Sequence, residues 1–99
     1  MDSDFKKLKV WEKSHQLVLL VYEISKKYPS DERYGLVLQM RRCAVSVPAN
    51  IAEGNSRKTK ADRSHFFRIA KGYLAELEYY FILSCDLKYL AENTYQQFD

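Results

Sequence analysis

The apolar residues recur at helical spacing in three long stretches of the chain. In residues 8–28 they stand three and four positions apart, three from Val21 to Ile24 and four from Ile24 to Tyr28, which is the spacing of one helix face. Pro29 closes this stretch because the residue before a proline disfavours the helical conformation. The pattern therefore predicts a first helix over about residues 8–28.

A second apolar stripe predicts a helix over about residues 31–53. Ser30 stands before it as a candidate N-cap, and Gly54 stands after it as a candidate C-terminal glycine. Pro48 lies inside the stretch and cannot donate a backbone hydrogen bond, so we expect a kink there. The hydroxyl of Ser46, or water, is expected to compensate for the lost bond.

The third helix is predicted to begin at Thr59, with Asp62 three residues further on in the pattern of a capping box. Its apolar stripe continues to about Leu90. Gly72 stands in the middle of the helix although glycine is a poor helix former, and this predicts a close approach of a neighbouring helix. A fourth helix is expected to begin after Asn93.

Three long helices joined by short turns predict an all-α domain over residues 1–99, an up-and-down antiparallel helical bundle. With 3 glycines and 2 prolines in 99 residues, the chain has too few turn formers for an all-β fold. The longest apolar run, residues 17–22, is too short for a secretion signal or a membrane span. We therefore expect a soluble cytoplasmic protein without a membrane partner.

Charge is unevenly distributed along the chain. Residues 41–71 hold eight basic and two acidic residues, a net of +6, whereas residues 1–40 carry +1 and residues 72–99 carry −4. Such a segment attracts polyanions such as nucleic acid, and it is also typical of a solvated helix face. If nucleic acid binds, the expected phosphate contacts are Arg41, Arg42, Arg57, Lys58, Lys60, Arg63, Arg68 and Lys71.

The sequence shows no pattern of catalytic residues. It contains neither of the common glycine-rich phosphate loops. Neither His15 nor His65 is followed by a second ligand three or four residues later, so we expect no metal ion and no cofactor. Cys43 and Cys85 lie in apolar stripes and are interpreted as buried side chains. The sequence thus predicts a protein that is not an enzyme.

A polar cluster interrupts the apolar second helix. Ser46, Asn50 and Glu53 are spaced four and three apart and share one helix face, with Asn55 close behind. These side chains could satisfy backbone groups freed by the proline and the helix end. They could instead line a binding surface beside Arg57. The structural role is the favoured interpretation.

The same segment carries a family resemblance. Residues 46–54 read SVPANIAEG, and Arg57 follows. This stretch resembles the signature of the small helical-bundle proteins encoded by intervening sequences of bacterial 23S rRNA genes, often labelled S23 ribosomal proteins. Residues 8–11 (LKVW), 39–42 (QMRR) and 66–78 resemble further segments of that family, in the same order, so that the likeness covers about residues 5–90.

The resemblance implies a four-helix bundle that assembles as a homopentamer. It also implies kinship with the accessory protein of diversity-generating retroelements, which binds nucleic acid and a reverse transcriptase. Arg41, Arg42 and Arg57 fall on motif positions of the family, whereas the other five basic residues rest on charge and helix geometry. Few residues follow Asn93, so we expect the fourth helix of the family to be truncated in this sequence.

Together these observations predict a non-enzymatic, ring-like homo-oligomer that binds nucleic acid, with RNA favoured, through a basic surface. A reverse transcriptase is a further partner only by analogy with the family. The alternative is an oligomeric protein-interaction scaffold that does not touch nucleic acid. In that case the arginines would serve solubility or ion pairs between subunits.

Overall fold

A computed structural model describes residues 4–92 of the chain. Within that range the protein is all-helical, which confirms the predicted class, with the helices α1 (Lys9–Ser25), α2 (Leu36–Asn55) and α3 (Lys60–Asp86). Asp4–Lys7 forms a short 3-10 helix before α1, the N-terminal turn. The fourth helix predicted after Asn93 lies outside the described residues.

Helix α2 lies between the other two helices. Arg41 near its start meets Ser25 at the end of α1, and Gly54 near its end meets Phe67 near the start of α3. The three helices therefore run up, down and up. Over residues 4–92 the Cα atoms of α1 and α3 nowhere approach within 8 Å of each other. Each outer helix is therefore held to the bundle mainly through α2.

The core consists of two clusters of apolar side chains along α2. The larger one includes Val21 of α1, Met40 of α2 and Leu77 of α3, all fully buried. The smaller one, around Val47 and Ile51, is packed against by Leu8, Trp11 and Tyr73. Burial of such side chains contributes about 1.5–3 kcal/mol each, so these clusters fix the order of the helices.

Helix α1 ends at Ser25, and the predicted end at residue 28 is wrong. The backbone N–H of Tyr28 bonds to the carbonyl of Ser25 at 3.2 Å, a tighter turn than an α-helix makes. Pro29 then adopts an extended backbone with ψ 143°. The proline takes effect earlier than predicted because Tyr28 turns into the core, where its ring packs against Tyr89.

Helix α2 begins later than predicted. Ser30–Glu32 forms a short 3-10 helix, and Ser30 is not an N-cap of α2. The helix starts at Leu36, whose backbone N–H donates to Glu32 Oε1 at 3.3 Å. A glutamate four residues upstream thus meets one of the unsatisfied donors of the helix end. Tyr89 also donates its hydroxyl hydrogen to this carboxylate, at 3.0 Å.

Pro48 and Gly54 both lie inside α2, which continues to Asn55. The Ser46 hydroxyl donates to the carbonyl of Arg42 at 2.8 Å. It was expected to compensate for the bond lost at Pro48, but it does not bond to the carbonyl of Ala44, four residues before the proline. The prediction that Gly54 ends the helix is wrong. Gly54 is buried, and a Cβ there would lie 3.0–3.2 Å from atoms of Phe66 and Phe67.

Helix α3 begins as predicted, with the Thr59 hydroxyl accepting the N–H of Asp62 at 3.1 Å. It ends at Asp86, four residues before the predicted end, because Lys88 takes the left-handed conformation (φ 67°) of a C-terminal cap. Gly72 is exposed, and a Cβ there would meet nothing within 4 Å. The close helix approach predicted at Gly72 is therefore wrong, and it occurs at Gly54 instead.

Candidate nucleic-acid interface

The structure brings together four of the eight basic residues predicted to contact phosphate. The connection between α2 and α3 spans residues 56–59, and the four are exposed on it or on the first turn of α3: Arg57, Lys58, Lys60 and Arg63. Arg68 and Lys71 lie further along α3. Arg41 and Arg42 lie about 20 Å away along α2, at 1.5 Å per residue. The predicted set therefore does not form one patch.

Arg57 is held in place by its neighbours and keeps its charge at the surface. Its guanidinium carbon lies 4.7 Å from the ring centre of Phe66, and its Nη2 lies 3.5 Å from Glu53 Oε2. The side chain is 43% exposed. Arg63 donates from Nε to the backbone carbonyl of Arg57 at 2.7 Å. The two arginines thus order the connection, and the remaining guanidinium donors are free to face an anion.

Arg41 has a different role. Its Nε donates to Ser25 Oγ at 2.9 Å, its Nη2 to the Tyr22 carbonyl at 3.5 Å, and its guanidinium lies 4.5 Å from the Tyr22 ring centre. These groups belong to the last turn of α1, where the Tyr22 carbonyl also accepts the Ser25 hydroxyl at 3.4 Å. Arg41 therefore fastens α1 to α2. Arg42, one residue on, is exposed and projects about 100° away around the helix.

The polar cluster of α2 makes bonds within its own helix. Asn50 Nδ2 donates to the Ser46 carbonyl at 2.7 Å. The Ser56 hydroxyl lies 2.7 Å from the carbonyl of Glu53 and 3.1 Å from its Oε2. Neither the Ser46 bond nor the Asn50 bond goes to the Ala44 carbonyl that Pro48 leaves without its helical partner, so the structural role favoured from the sequence stays a prediction. Glu53 additionally connects the cluster to Arg57.

The N-terminal turn lies at the same end of the bundle as the α2–α3 connection. Asp4 and Phe5 border a shallow pocket together with Glu53 and Ser56 from the end of α2. Exposed lysines of the N-terminal turn and of the start of α1 therefore lie at that end, namely Lys6, Lys7, Lys9 and Lys13. The sequence prediction did not include them, because about fifty residues separate them from Arg57. Because the sequence already predicted that α1 and α2 are antiparallel, it could have placed these lysines near Arg57.

The two ends of the bundle differ in charge. One end, here called the basic end, holds eight cations and four carboxylates, a net of +4: Lys6, Lys7, Lys9, Lys13, Arg57, Lys58, Lys60 and Arg63 with Asp4, Glu12, Glu53 and Asp62. The opposite end has a net of 0: Lys26, Lys27, Arg33, Arg41 and Lys88 with Glu23, Asp31, Glu32, Asp86 and Glu92. Both α1 and α3 also begin at the basic end, and helix N-termini carry partial positive charge.

The cysteines do not form a reactive site. Cys43 is buried, and burial raises the pKa of its thiol to about 12, with a hydrogen bond to Glu76 and the charge of that carboxylate acting in the same direction. Burial also raises the pKa of the half-buried Cys85. A thiol that stays protonated is a poor nucleophile and a poor metal ligand. Among residues 4–92 no three His, Cys, Asp or Glu side chains are placed to hold a metal ion.

An apolar groove runs between α1 and α3. Its walls include Val10 and Leu17 from α1 and Phe67, Leu74 and Phe81 from α3. Val10 is 57% exposed and Leu74 is 43% exposed, so the groove presents apolar surface to solvent. None of the described helices is long and apolar enough to cross a membrane.

The sequence matches a known protein family. A family model described as 23S rRNA-intervening sequence protein matches residues 6–99, nearly the whole chain. No curated protein matches the sequence.

Proposed function

This chain belongs to the family of 23S rRNA-intervening sequence proteins, and we propose that it is a non-enzymatic protein that binds nucleic acid, with structured RNA as the favoured ligand. The observation that carries the proposal is the cluster of four exposed cations on the α2–α3 connection. RNA presents a row of phosphates, and lysine and arginine side chains bind phosphates strongly by releasing counterions.

The local geometry supports phosphate binding. Arg57 is oriented by Phe66 and Glu53, and Arg63 is fixed by its bond to the Arg57 carbonyl. Side chains that are ordered before binding lose less conformational freedom when the ligand arrives. Contacts to phosphates alone carry no base sequence information, so we expect binding with little sequence preference.

Assembly is part of the same proposal. We expect a ring-like homo-oligomer, with the pentamer taken from the family resemblance, and the exposed apolar groove between α1 and α3 is surface that assembly could cover. The four-helix form of the bundle likewise comes from the resemblance. An oligomer would present several basic ends to one RNA, which raises avidity without new contacts. We place the protein in the cytoplasm.

The proposal is tested by fluorescence anisotropy with a labelled structured RNA and a matching DNA duplex, each titrated from low to physiological salt. We expect the RNA to bind tightly at low salt. The substitutions Arg57→Ala, Lys58→Ala and Lys60→Ala together should reduce the slope of log affinity against log salt concentration by about 2–3. The charge-matched control carries Lys26→Ala, Lys27→Ala and Arg33→Ala at the opposite end, and should bind like the wild type.

Two results would overturn the proposal. One is that the wild-type protein fails to bind RNA even at low salt. The other is that the control variant loses as much affinity as the basic-end variant, because net charge alone would then explain the attraction.

The second candidate function is a protein-interaction scaffold, with a reverse transcriptase as a partner only by analogy with the family. Its support is the apolar groove, together with the intramolecular contacts that already engage Arg41 and Arg57. A scaffold would bind its protein partner without RNA, and Leu74→Glu in the groove would weaken that complex. Under the leading proposal the same substitution acts on RNA binding only through assembly, and the affinity of a single subunit for RNA stays unchanged.

A further inference from the structure

The cations at the basic end include residues from outside the basic segment of the sequence. The N-terminal turn and the first turn of α1 carry three exposed lysines, Lys6, Lys7 and Lys9. They belong to residues 1–40, whose net charge of +1 gives no sign of a binding role. Their position in the fold changes this picture, because α1 runs antiparallel to α2 and begins where α2 ends.

Several contacts hold the N-terminal turn in this position. The backbone N–H of Leu8 donates to the Phe5 carbonyl at 3.0 Å. The Phe5 ring lies 5.1 Å from the ring of Trp11, and both Leu8 and Trp11 pack against the smaller core cluster. Phe5 also borders the pocket formed by the last turn of α2, directly before Arg57. The lysines are therefore carried on a packed element.

From this arrangement we infer that the lysines of the N-terminal turn and the cations of the α2–α3 connection form one continuous phosphate-binding surface across the basic end. The inference rests on the proposed function and specifies its ligand-binding surface. The partner is the phosphodiester backbone of one nucleic acid that crosses the end of α2 and reaches both elements. The carboxylates there leave the surface at +4, with Glu53 paired to Arg57.

Complementarity of charge identifies the kind of partner. The bundle is 25 × 23 Å across its two shorter axes, and each strand of a DNA duplex carries one phosphate for about every 3.4 Å of helix axis. A single nucleic acid therefore supplies anions to both elements at once. An anion with a single phosphate could reach only one of them.

The test compares two variants that remove the same charge. One carries Lys6→Ala, Lys7→Ala and Lys9→Ala, and the other is the opposite-end control with Lys26→Ala, Lys27→Ala and Arg33→Ala. All six residues are exposed, and circular dichroism checks that both variants keep the wild-type helix content. Each is titrated with a short labelled RNA duplex over a series of salt concentrations, and the stoichiometry is measured at saturation.

We expect the N-terminal variant to reduce the slope of log affinity against log salt by about 2–3, while the control keeps the wild-type slope. The stoichiometry should equal that of the wild type, and combining these substitutions with those at Arg57, Lys58 and Lys60 should add the two slope changes. If the wild type binds and only the variant of the connection weakens binding, the extended surface is wrong and the proposed function survives. Separate RNA molecules on the two elements, seen as a doubled stoichiometry, would also overturn the continuous surface. Absence of wild-type binding would overturn both.

Discussion

Substituting alanine for each of two helical glycines should change stability in opposite directions. Gly54 of α2 is buried, and a Cβ there would lie 3.0 Å from Phe67 Cε1 and 3.1 Å from Phe66 Cβ. Gly72 of α3 is exposed, with nothing within 4 Å of such an atom. Both residues are helical, so Gly54→Ala and Gly72→Ala make the same covalent change in the same backbone conformation.

The magnitudes follow from two opposing effects. Replacing a helical glycine by alanine stabilises by about 1 kcal/mol through backbone entropy. At Gly72 nothing opposes this gain. At Gly54 the new methyl group meets the Cβ of Phe66, which is fixed to the backbone of α3 and cannot swing away. Overpacking of this kind costs about 1–3 kcal/mol. We therefore expect Gly54→Ala to destabilise by about 1 kcal/mol and the two variants to differ by about 2 kcal/mol.

Urea unfolding followed by far-ultraviolet circular dichroism measures this difference. All proteins are compared at one concentration, so that assembly affects each equally. An unchanged m-value shows that the midpoints report stability alone. In thermal unfolding the two variants should lie on either side of the wild type, at about 4–8 °C per kcal/mol. If Gly54→Ala proves as stable as Gly72→Ala, then α2 and α3 do not approach closely at Gly54 and the helix packing described above is wrong.

Two further predictions concern side chains of α2. Arg41→Ala should lower the free energy of unfolding by about 1–2 kcal/mol, because it removes charged hydrogen bonds to the last turn of α1. As a control, substitution of the neighbouring exposed residue, Arg42→Ala, should keep the free energy of unfolding within about 0.5 kcal/mol of the wild type. An equal loss of stability in both variants would refute the role of Arg41. The pKa of Cys43 is raised from 9.0 to about 12 in the folded state, so the unfolded chain releases this proton first and stability should fall as pH rises from about 9 to about 12. Urea titrations across that range should show a shallower fall for Cys43→Ala, and parallel curves would contradict the raised pKa.

The sequence predicted the elements that depend on local chemistry. Thr59 caps α3 as expected because its hydroxyl needs only Asp62, three residues away. The stripes of α1, α2 and α3 were recognisable because a buried helix face repeats at 3.6 residues. These features require no knowledge of how the helices pack together.

The sequence did not predict features that depend on distant partners. The ends of α1 and α3 are set by a core tyrosine and by a left-handed lysine at position 88. The roles of Gly54 and Gly72 were mispredicted because only the packed structure shows which glycine faces another helix. The local sequence pattern does not distinguish these two positions, because each glycine stands at helical spacing from the residues of an apolar stripe.

The candidate interface divides in the same way. The cations of residues 57–63 stand close together in sequence, and the charge profile located them directly. Arg41 belongs to the same charged segment, yet its partners are in α1, sixteen and nineteen residues away. Lys6 and Lys7 lie outside that segment and reach the basic end only through helix packing. Their placement is a property of the fold, and no local pattern carries it.

The central position of α2 has a consequence for how the protein opens. Because the backbones of α1 and α3 nowhere come within 8 Å of each other in residues 4–92, detaching α1 leaves the α2–α3 hairpin and its short connection intact. Partial unfolding of this kind needs less free energy than loss of the whole bundle. We expect α1 to be the first element to separate. Separation of α1 would move the N-terminal lysines away and leave the cations of residues 57–63 in place. Opening of α1 would therefore reduce the extent of the charged surface without displacing the cations of the α2–α3 connection.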